Sequence, residues 1–279
     1  MWALGEARLC EEIKNAFEAN EALPAALHEK ALDIYRQYLI IGGMPRAIWE
    51  FVQTKSLLLV PDVQSKIIND YIADMAKYAS NAESVKIRAA YNSIPVQLAK
   101  ENKKFQYKLA QKGGTATIFG AAIDWLRFAG VVLKCERIEQ GYMPISVYRD
   151  LSAFKLYMSD VGLLTMKSGI SQQTILAAGE IDNRFLGAIS ENYVAQALST
   201  KHYGLYYWTS GGTAELDFVL QKGDDIISVE VKTGTWTKSR SLNIYVEKYK
   251  PAYSIRISSK NFGFENGIKS VPLYAVFCI

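Results

Sequence analysis

The stretch Thr213-Ala-Glu-Leu-Asp217-Phe-Val-Leu-Gln-Lys-Gly223-Asp-Asp-Ile-Ile-Ser-Val-Glu230-Val-Lys232 constrains the fold more than any other, because it sets its own strand register. Both arms alternate apolar and polar residues as half-buried strands do, and Lys222 to Asp225 carries a Gly-Asp turn signal. Pairing Gln221 with Ile226 sets Asp217 directly opposite Glu230 and Glu215 directly opposite Lys232. A turn centred on Gly223-Asp224 gives the same pairing. Leu216, Phe218 and Leu220 then share a core-facing side with Ile227, Val229 and Val231, while Asp217, Glu230 and Lys232 share the other.

Two carboxylates across a ladder repel, since cross-strand Cβ atoms sit about 5 Å apart. A divalent cation such as Mg²⁺ or Mn²⁺ takes hard oxygen ligands, commonly one or two carboxylates together with substrate phosphate, and would offset that repulsion at Asp217 and Glu230. Lys232, two residues along the same face, could then meet charge developing on a phosphoryl oxygen or position an attacking water. The alternative is structural: Lys232 pairs with Glu215, and a solvated hairpin face tolerates the acids.

Asp217, twelve intervening residues and then Glu230-x-Lys232 resemble the core of the PD-(D/E)XK nucleases. In that superfamily an upstream helical acid often completes the metal shell. The resemblance implies Glu191 for that role, in Leu186-Gly-Ala-Ile-Ser-Glu191-Asn-Tyr-Val-Ala-Gln-Ala-Leu198, with Ser190 as helix cap. The metal set would be Glu191, Asp217 and Glu230, and the catalytic set Asp217, Glu230 and Lys232. An acid near a helix N-terminus also has a purely structural explanation in the helix dipole. Leu216 stands where the motif's name has proline.

Three further blocks carry a wider resemblance: Tyr38-Leu-Ile-Ile-Gly-Gly-Met-Pro-Arg-Ala-Ile48, Phe154-Lys-Leu-Tyr-Met-Ser-Asp-Val-Gly-Leu164, and Tyr207-Trp208 ahead of Ala214-Glu-Leu-Asp217. Together they resemble the domain of unknown function that follows the AAA-type ATPase module in many bacterial and archaeal ATP-binding proteins. The resemblance implies an ATPase module or partner. This sequence has no Gly-Lys dipeptide, which excludes a Walker A loop and with it an ATP site of that type. Its start, Met1-Trp2-Ala-Leu-Gly5, resembles the end of an ATPase strand-and-lid region, so the chain reads as a C-terminal fragment, a truncated product or half of a split system.

Composition narrows the remaining classes. At 279 residues and 49% hydrophobic content the chain can build more than one core. No apolar run approaches the roughly 20 residues of a membrane helix and no signal peptide precedes the first helix, so no membrane association and a cytoplasmic location are expected. Cys10, Cys135 and Cys278 are odd in number and far apart, as small core residues are rather than a disulfide framework. Two histidines, His28 and His202, leave little for histidine-rich metal sites or hydrolase triads, and no G-x-S-x-G elbow occurs. His28 reads as part of a helical surface pattern. A formal net charge of +4 neither requires nor opposes nucleic acid.

Residues 1 to about 75 read as helices, with Leu27, Ile34, Tyr35 and Tyr38 at helical spacing and a tight turn at Gly42-Gly43-Met44-Pro45. This segment is expected to pack on an ATPase module in longer relatives, leaving apolar surface. Residues 76–150 suggest a winged helix-turn-helix: helix 84–100, basic Lys103-Lys-Phe-Gln-Tyr-Lys108, and a helix from about 117 with an inner stripe of Ile118, Ala121, Ala122, Trp125, Leu126 and Ala129. Val131–Ile138 and Ile145–Tyr148 would form the wing. A DNA-binding version would set Lys103, Lys104, Lys108 and Lys112 on phosphates, although the helix offers few base-reading side chains; the alternative is a packing or protein-interaction module. Residues 151–279 read as the nuclease-like mixed sheet flanked by helices. There Asp160 is a candidate helix cap, Lys238, Arg240 and Lys260 are phosphate candidates, and Leu273–Ile279 is a terminal strand. The expected class is therefore α+β or α/β: a helical segment, a winged helix and a restriction-endonuclease-like domain.

Overall fold

A computed structural model describes all residues except Tyr78, Thr213 and the stretches 178–184 and 235–239. Seven helices come first: α1 (Ala7–Ala19), α2 (Ala25–Ile41), α3 (Pro45–Thr54), α4 (Val60–Lys77), α5 (Asn81–Leu98), α6 (Tyr107–Ala110) and α7 (Ala116–Phe128). Then follow β1 (Val132–Ile138), β2 (Arg149–Met158), α8 (Val161–Ser168), α9 (Gln172–Leu176), α10 (Phe185–Thr200), β3 (Tyr206–Thr209), β4 (Glu215–Lys222) and β5 (Asp225–Val231). The chain closes with α11 (Arg240–Tyr249), β6 (Ser254–Ser258), β7 (Gly263–Glu265) and β8 (Ile268–Pro272).

Local chemistry accounts for the main boundaries. Pro45 at the first position of α3 lacks only an N–H that would have no helical partner anyway. Ser80 and Glu83 form a reciprocal capping box that starts α5. Asp160 starts α8 by accepting from the Leu163 N–H at 3.0 Å, as expected from the sequence. The Leu23-Pro24 break separates α1 from α2.

Among the described residues the strands form one mixed eight-stranded sheet in the order β2-β1-β3-β4-β5-β6-β8-β7. A single apolar core, running from Leu9 in α1 to Ile279, joins the helical segment to one face of this sheet. A smaller cluster of Trp208, Leu216, Val219, Leu242 and Tyr245 seats α11 on β3 and β4. Lys155 is the one lysine among the fully buried large side chains of the described residues, which makes the face it crosses chemically distinct.

Several expectations are corrected. Ile145–Tyr148 is a 3₁₀ turn, and the partner of β1 is β2; because β1 also pairs in parallel with β3, the hairpin expected as a wing is the edge of the large sheet. The inner stripe of α7 is Phe119, Ala122, Ile123 and Leu126, leaving Ile118, Ala121 and Ala129 outside, because the larger Phe119 takes the core position. His28 is buried, its ring bonded to the Tyr274 hydroxyl at 2.8 Å and the Ser259 carbonyl at 3.1 Å. Leu273–Cys278 is a 3₁₀ helix packed on the core rather than a strand. Ser190 lies inside α10 and bonds Tyr35, so it is no helix cap.

Candidate functional site

The hairpin register follows the sequence as far as Phe218. Lys222 pairs with Asp225, Gln221 with Ile226 and Phe218 with Val229, and there the ladder stops. Beyond it the Asp217 carboxylate accepts the Val231 N–H at 2.8 Å, so a side chain replaces the next main-chain partner. The pairing of β4 with β3 shifts at the same level, between Val219 and Leu216. The alternation breaks with it: Phe218 and Leu220 lie in the main core, whereas Leu216 packs with Trp208 and Tyr245, away from the face expected for it. A bulge of this kind re-aims the side chain at its centre, which here is Asp217.

Around this split end gather four acids and three lysines. Glu191 projects from α10 and is 2% exposed. One of its oxygens takes the Lys155 ammonium at 2.9 Å and the Tyr157 hydroxyl; the other takes Lys103. Lys155 starts on β2, passes over the Tyr207 ring of β3 and ends 2.7 Å from Glu215 on β4. It is thus the shared counter-charge of Glu191 and Glu215. Lys232 lies 2.6 Å from one oxygen of Glu230. The other Glu230 oxygen is buried without a hydrogen-bond partner. Glu215 does not pair with Lys232, because Lys155 has reached it across the sheet.

The electrostatics separate the acids. Burial works against ionisation of Glu191, but Lys155 and Lys103 outweigh it and bring its pKa down to about 2. Asp217 goes the other way: burial first, then the Glu191 and Glu230 charges, push it up to about 7. Burial opposes the charge of Lys155, yet Glu191 and Glu215 raise its pKa well above the ordinary value. Lys232 is raised as well, Glu230 outweighing its desolvation. Burial and Glu191 raise Tyr157, keeping it a neutral donor.

The structure therefore brings Glu191, Asp217, Glu230 and Lys232 into one charge-coupled neighbourhood, through the charges each exerts on the others. Among the described residues no group of three or more histidine, cysteine, aspartate or glutamate side chains is gathered closely enough to hold a metal ion. The orphaned oxygen of Glu230 and the hard-oxygen character of the three acids nevertheless suit Mg²⁺ or Mn²⁺. Lys103 is drawn into this site rather than out onto a phosphate-binding surface. Lys104 is half-buried, Lys108 and Lys112 are exposed, and Arg240 is exposed at the start of α11. Lys238 lies outside the described residues. Sequence reasoning missed Lys155 and Tyr157; a lysine in the otherwise apolar run Ala153-Phe-Lys-Leu-Tyr-Met158 was the available signal.

Asp160 is 1% exposed and belongs to a separate polar node. It accepts from the N–H groups of Gly43 at 2.6 Å and Leu163 at 3.0 Å, and from the Gln196 amide at 3.4 Å. A Cβ on Gly42 would lie 2.2 Å from its carboxylate, which with φ of +75° explains the glycine there.

The sequence profile of a domain of unknown function, DUF8612, matches residues 32–174, half of the chain. The chain belongs to that family. A second profile, the domain of unknown function DUF4143, matches residues 186–276. Lys103, Lys155 and Tyr157 thus fall within the DUF8612 match, and Glu191, Asp217, Glu230 and Lys232 within the DUF4143 match. Two curated relatives, each named UPF0102 protein, come from two strains of Treponema pallidum. Each is 40% identical over 70 residues, covering 24% of this chain and 55% of the relative. The chain spans about half the length of these relatives. No solved structure matches. Among the described residues no helix is long and apolar enough to cross a membrane.

Proposed function

We propose that the chain is a nucleic-acid-associated region working with an AAA-type ATPase module, and that its split hairpin is a metal-dependent phosphodiesterase site on a PD-(D/E)XK-like core. The observation that carries this reading is the buried, unpartnered Glu230 oxygen beside Asp217, with Lys232 on the same acid. A buried carboxylate oxygen without a donor is costly, and a cation relieves that cost. Glu191, Asp217 and Glu230 would hold Mg²⁺ or Mn²⁺, which when bound supplies Lewis-acid polarisation and an activated water. Lys232, paired with Glu230, would offset charge on a phosphoryl oxygen. Lys104, Lys108, Lys112, Lys238 and Arg240 are the proposed DNA phosphate contacts, with α5 to α7 in the part of a helix-turn-helix.

A specific observation favours a second reading. Glu191 already has two ammoniums and a hydroxyl, as it would in a nuclease fold retained for protein interaction or regulation. Titrating Mg²⁺ and Mn²⁺ into wild type and Asp217→Ala while following thermal stability, then incubating both with single- and double-stranded DNA, separates the two. The nuclease reading expects metal stabilisation and cleavage in wild type alone. Cleavage surviving in Asp217→Ala would sink the assignment. Absence of metal stabilisation, with or without salt-sensitive DNA binding, would leave the interaction module.

A further inference from the structure

The partners of Glu191 divide into fixed and removable. Lys155 has no exposure to solvent and is pinned between Glu191 and Glu215, over the Tyr207 ring. Tyr157 is equally buried on β2. Both engage the same Glu191 oxygen. The other oxygen takes Lys103, which comes from the loop between α5 and α6 and whose side chain is 21% exposed. That loop is held just after Lys103: the Phe105 N–H bonds the Phe154 carbonyl at 2.8 Å, and Gln97 clamps Gln106 through its N–H at 3.0 Å and its carbonyl at 2.9 Å. The backbone is anchored, and the four-carbon arm that reaches Glu191 is the partner with access to water.

Charge counting gives the arm a role. With Asp217 ionised, as it must be to act as a ligand, the acids Glu191, Glu215, Asp217 and Glu230 outnumber the ammoniums of Lys103, Lys155 and Lys232 by one. Replacing the single charge of Lys103 by a divalent ion removes that excess and frees the outer Glu191 oxygen as a ligand, while the unpartnered Glu230 oxygen gains one. We propose that Lys103 is a tethered cation that occupies the Glu191 side of the metal site, so that a divalent ion binds only as the Lys103 ammonium swings out. This rests on the metal-site reading above and adds to it a built-in competitor.

The test is Mn²⁺ binding by titration calorimetry to wild type, Lys103→Met and Lys104→Met, the last being a charge-matched neighbour. Lys103→Met keeps the aliphatic stem and leaves Glu191 bonded to Lys155 and Tyr157, so the fold is expected to survive. Lys103→Met should bind Mn²⁺ at least roughly 10-fold more tightly than wild type, with Lys104→Met close to wild type. In wild type alone, labelling of Lys103 by an amine-reactive reagent, read by mass spectrometry, should rise severalfold on adding Mn²⁺, which keeps the idea testable if the variant misfolds. Equal affinity in Lys103→Met and wild type, or labelling unchanged by bound Mn²⁺, would overturn the tethered cation and leave the metal site standing. No Mn²⁺ binding by any of the chains would remove the metal site and the tethered cation together.

Discussion

Two buried acid nodes lie in one chain, and they are built on opposite principles. At Asp160 both carboxylate oxygens meet main-chain donors, from Gly43 in the turn before α3 and from Leu163 in the first turn of α8. At the split hairpin the four acids outnumber the three ammonium groups, and Glu230 keeps an oxygen without a hydrogen-bond partner. Main-chain N–H groups cannot leave, so the Asp160 node is closed and serves to tie α2, α3 and α8 together. At the hairpin node Lys155 is fully buried, while Lys103 reaches Glu191 on a partly exposed arm, which on the proposal above makes the node open to exchange. A fully satisfied node of this kind acts as scaffolding, whereas an unpartnered buried oxygen calls for a further partner.

This contrast can be broken by mutation. The largest effect is expected for Lys155→Met, which removes the buried cation shared by Glu191 and Glu215 and leaves the buried Glu191 to Lys103 and Tyr157. It should destabilise by roughly 3–5 kcal/mol in chemical denaturation, and a loss below about 1 kcal/mol would show the acids rearranging to water. Asp160→Ala should cost roughly 2–4 kcal/mol, since it removes the cap and orphans the Gly43 and Leu163 donors.

The third effect has the opposite sign. Asp217→Asn should stabilise by roughly 1–3 kcal/mol at pH 8, because it deletes a charge that burial, Glu191 and Glu230 all disfavour. The pH dependence follows from the direction of the shift. The folded Asp217 holds its proton up to about pH 7, whereas the unfolded side chain releases it near its ordinary value of 3.8. The folded state therefore binds more protons between those values, and this contribution to stability is full below pH 3.8 and lost as pH rises through 7. Asp217→Asn should accordingly gain its advantage between pH 4 and 8 and match wild type at the acid end; an advantage independent of pH would place its cause elsewhere. Glu191 behaves conversely, its contribution being lost only as pH falls toward 2. The smallest effect is expected for Lys108→Ala with Lys112→Ala, exposed residues whose removal should change stability by less than about 0.5 kcal/mol each. Any effect of that pair should appear as a shallower salt dependence of DNA affinity.

The hairpin turn, the Asp160 cap, the glycine turn before α3 and the helical start of the chain are legible because each rests on neighbours in sequence. Chain-local reasoning failed wherever a distant element intervened. Ile145–Tyr148 and Leu273–Cys278 have the composition of strands, but the first connects β1 to its real partner and the second packs on the core. His28 resembles a surface residue until Tyr274 and Ser259 close over it.

By itself, the sequence determined the hairpin register down to Phe218 and Val229 and nominated Asp217, Glu230 and Lys232, because period-two alternation and turn chemistry act over a few residues; Glu191 was implied by the resemblance to the PD-(D/E)XK core. Only the tertiary structure decided which charges meet. Lys155 crosses from β2 over β3 to reach Glu215 on β4, Lys103 arrives from a loop 88 residues before Glu191, and β4 breaks its alternation at Asp217 where it must serve β3 and β5 at once. Coulomb energies depend on distance through the fold rather than along the chain, and that separation is set by the packing of α10 and β2 on one sheet face.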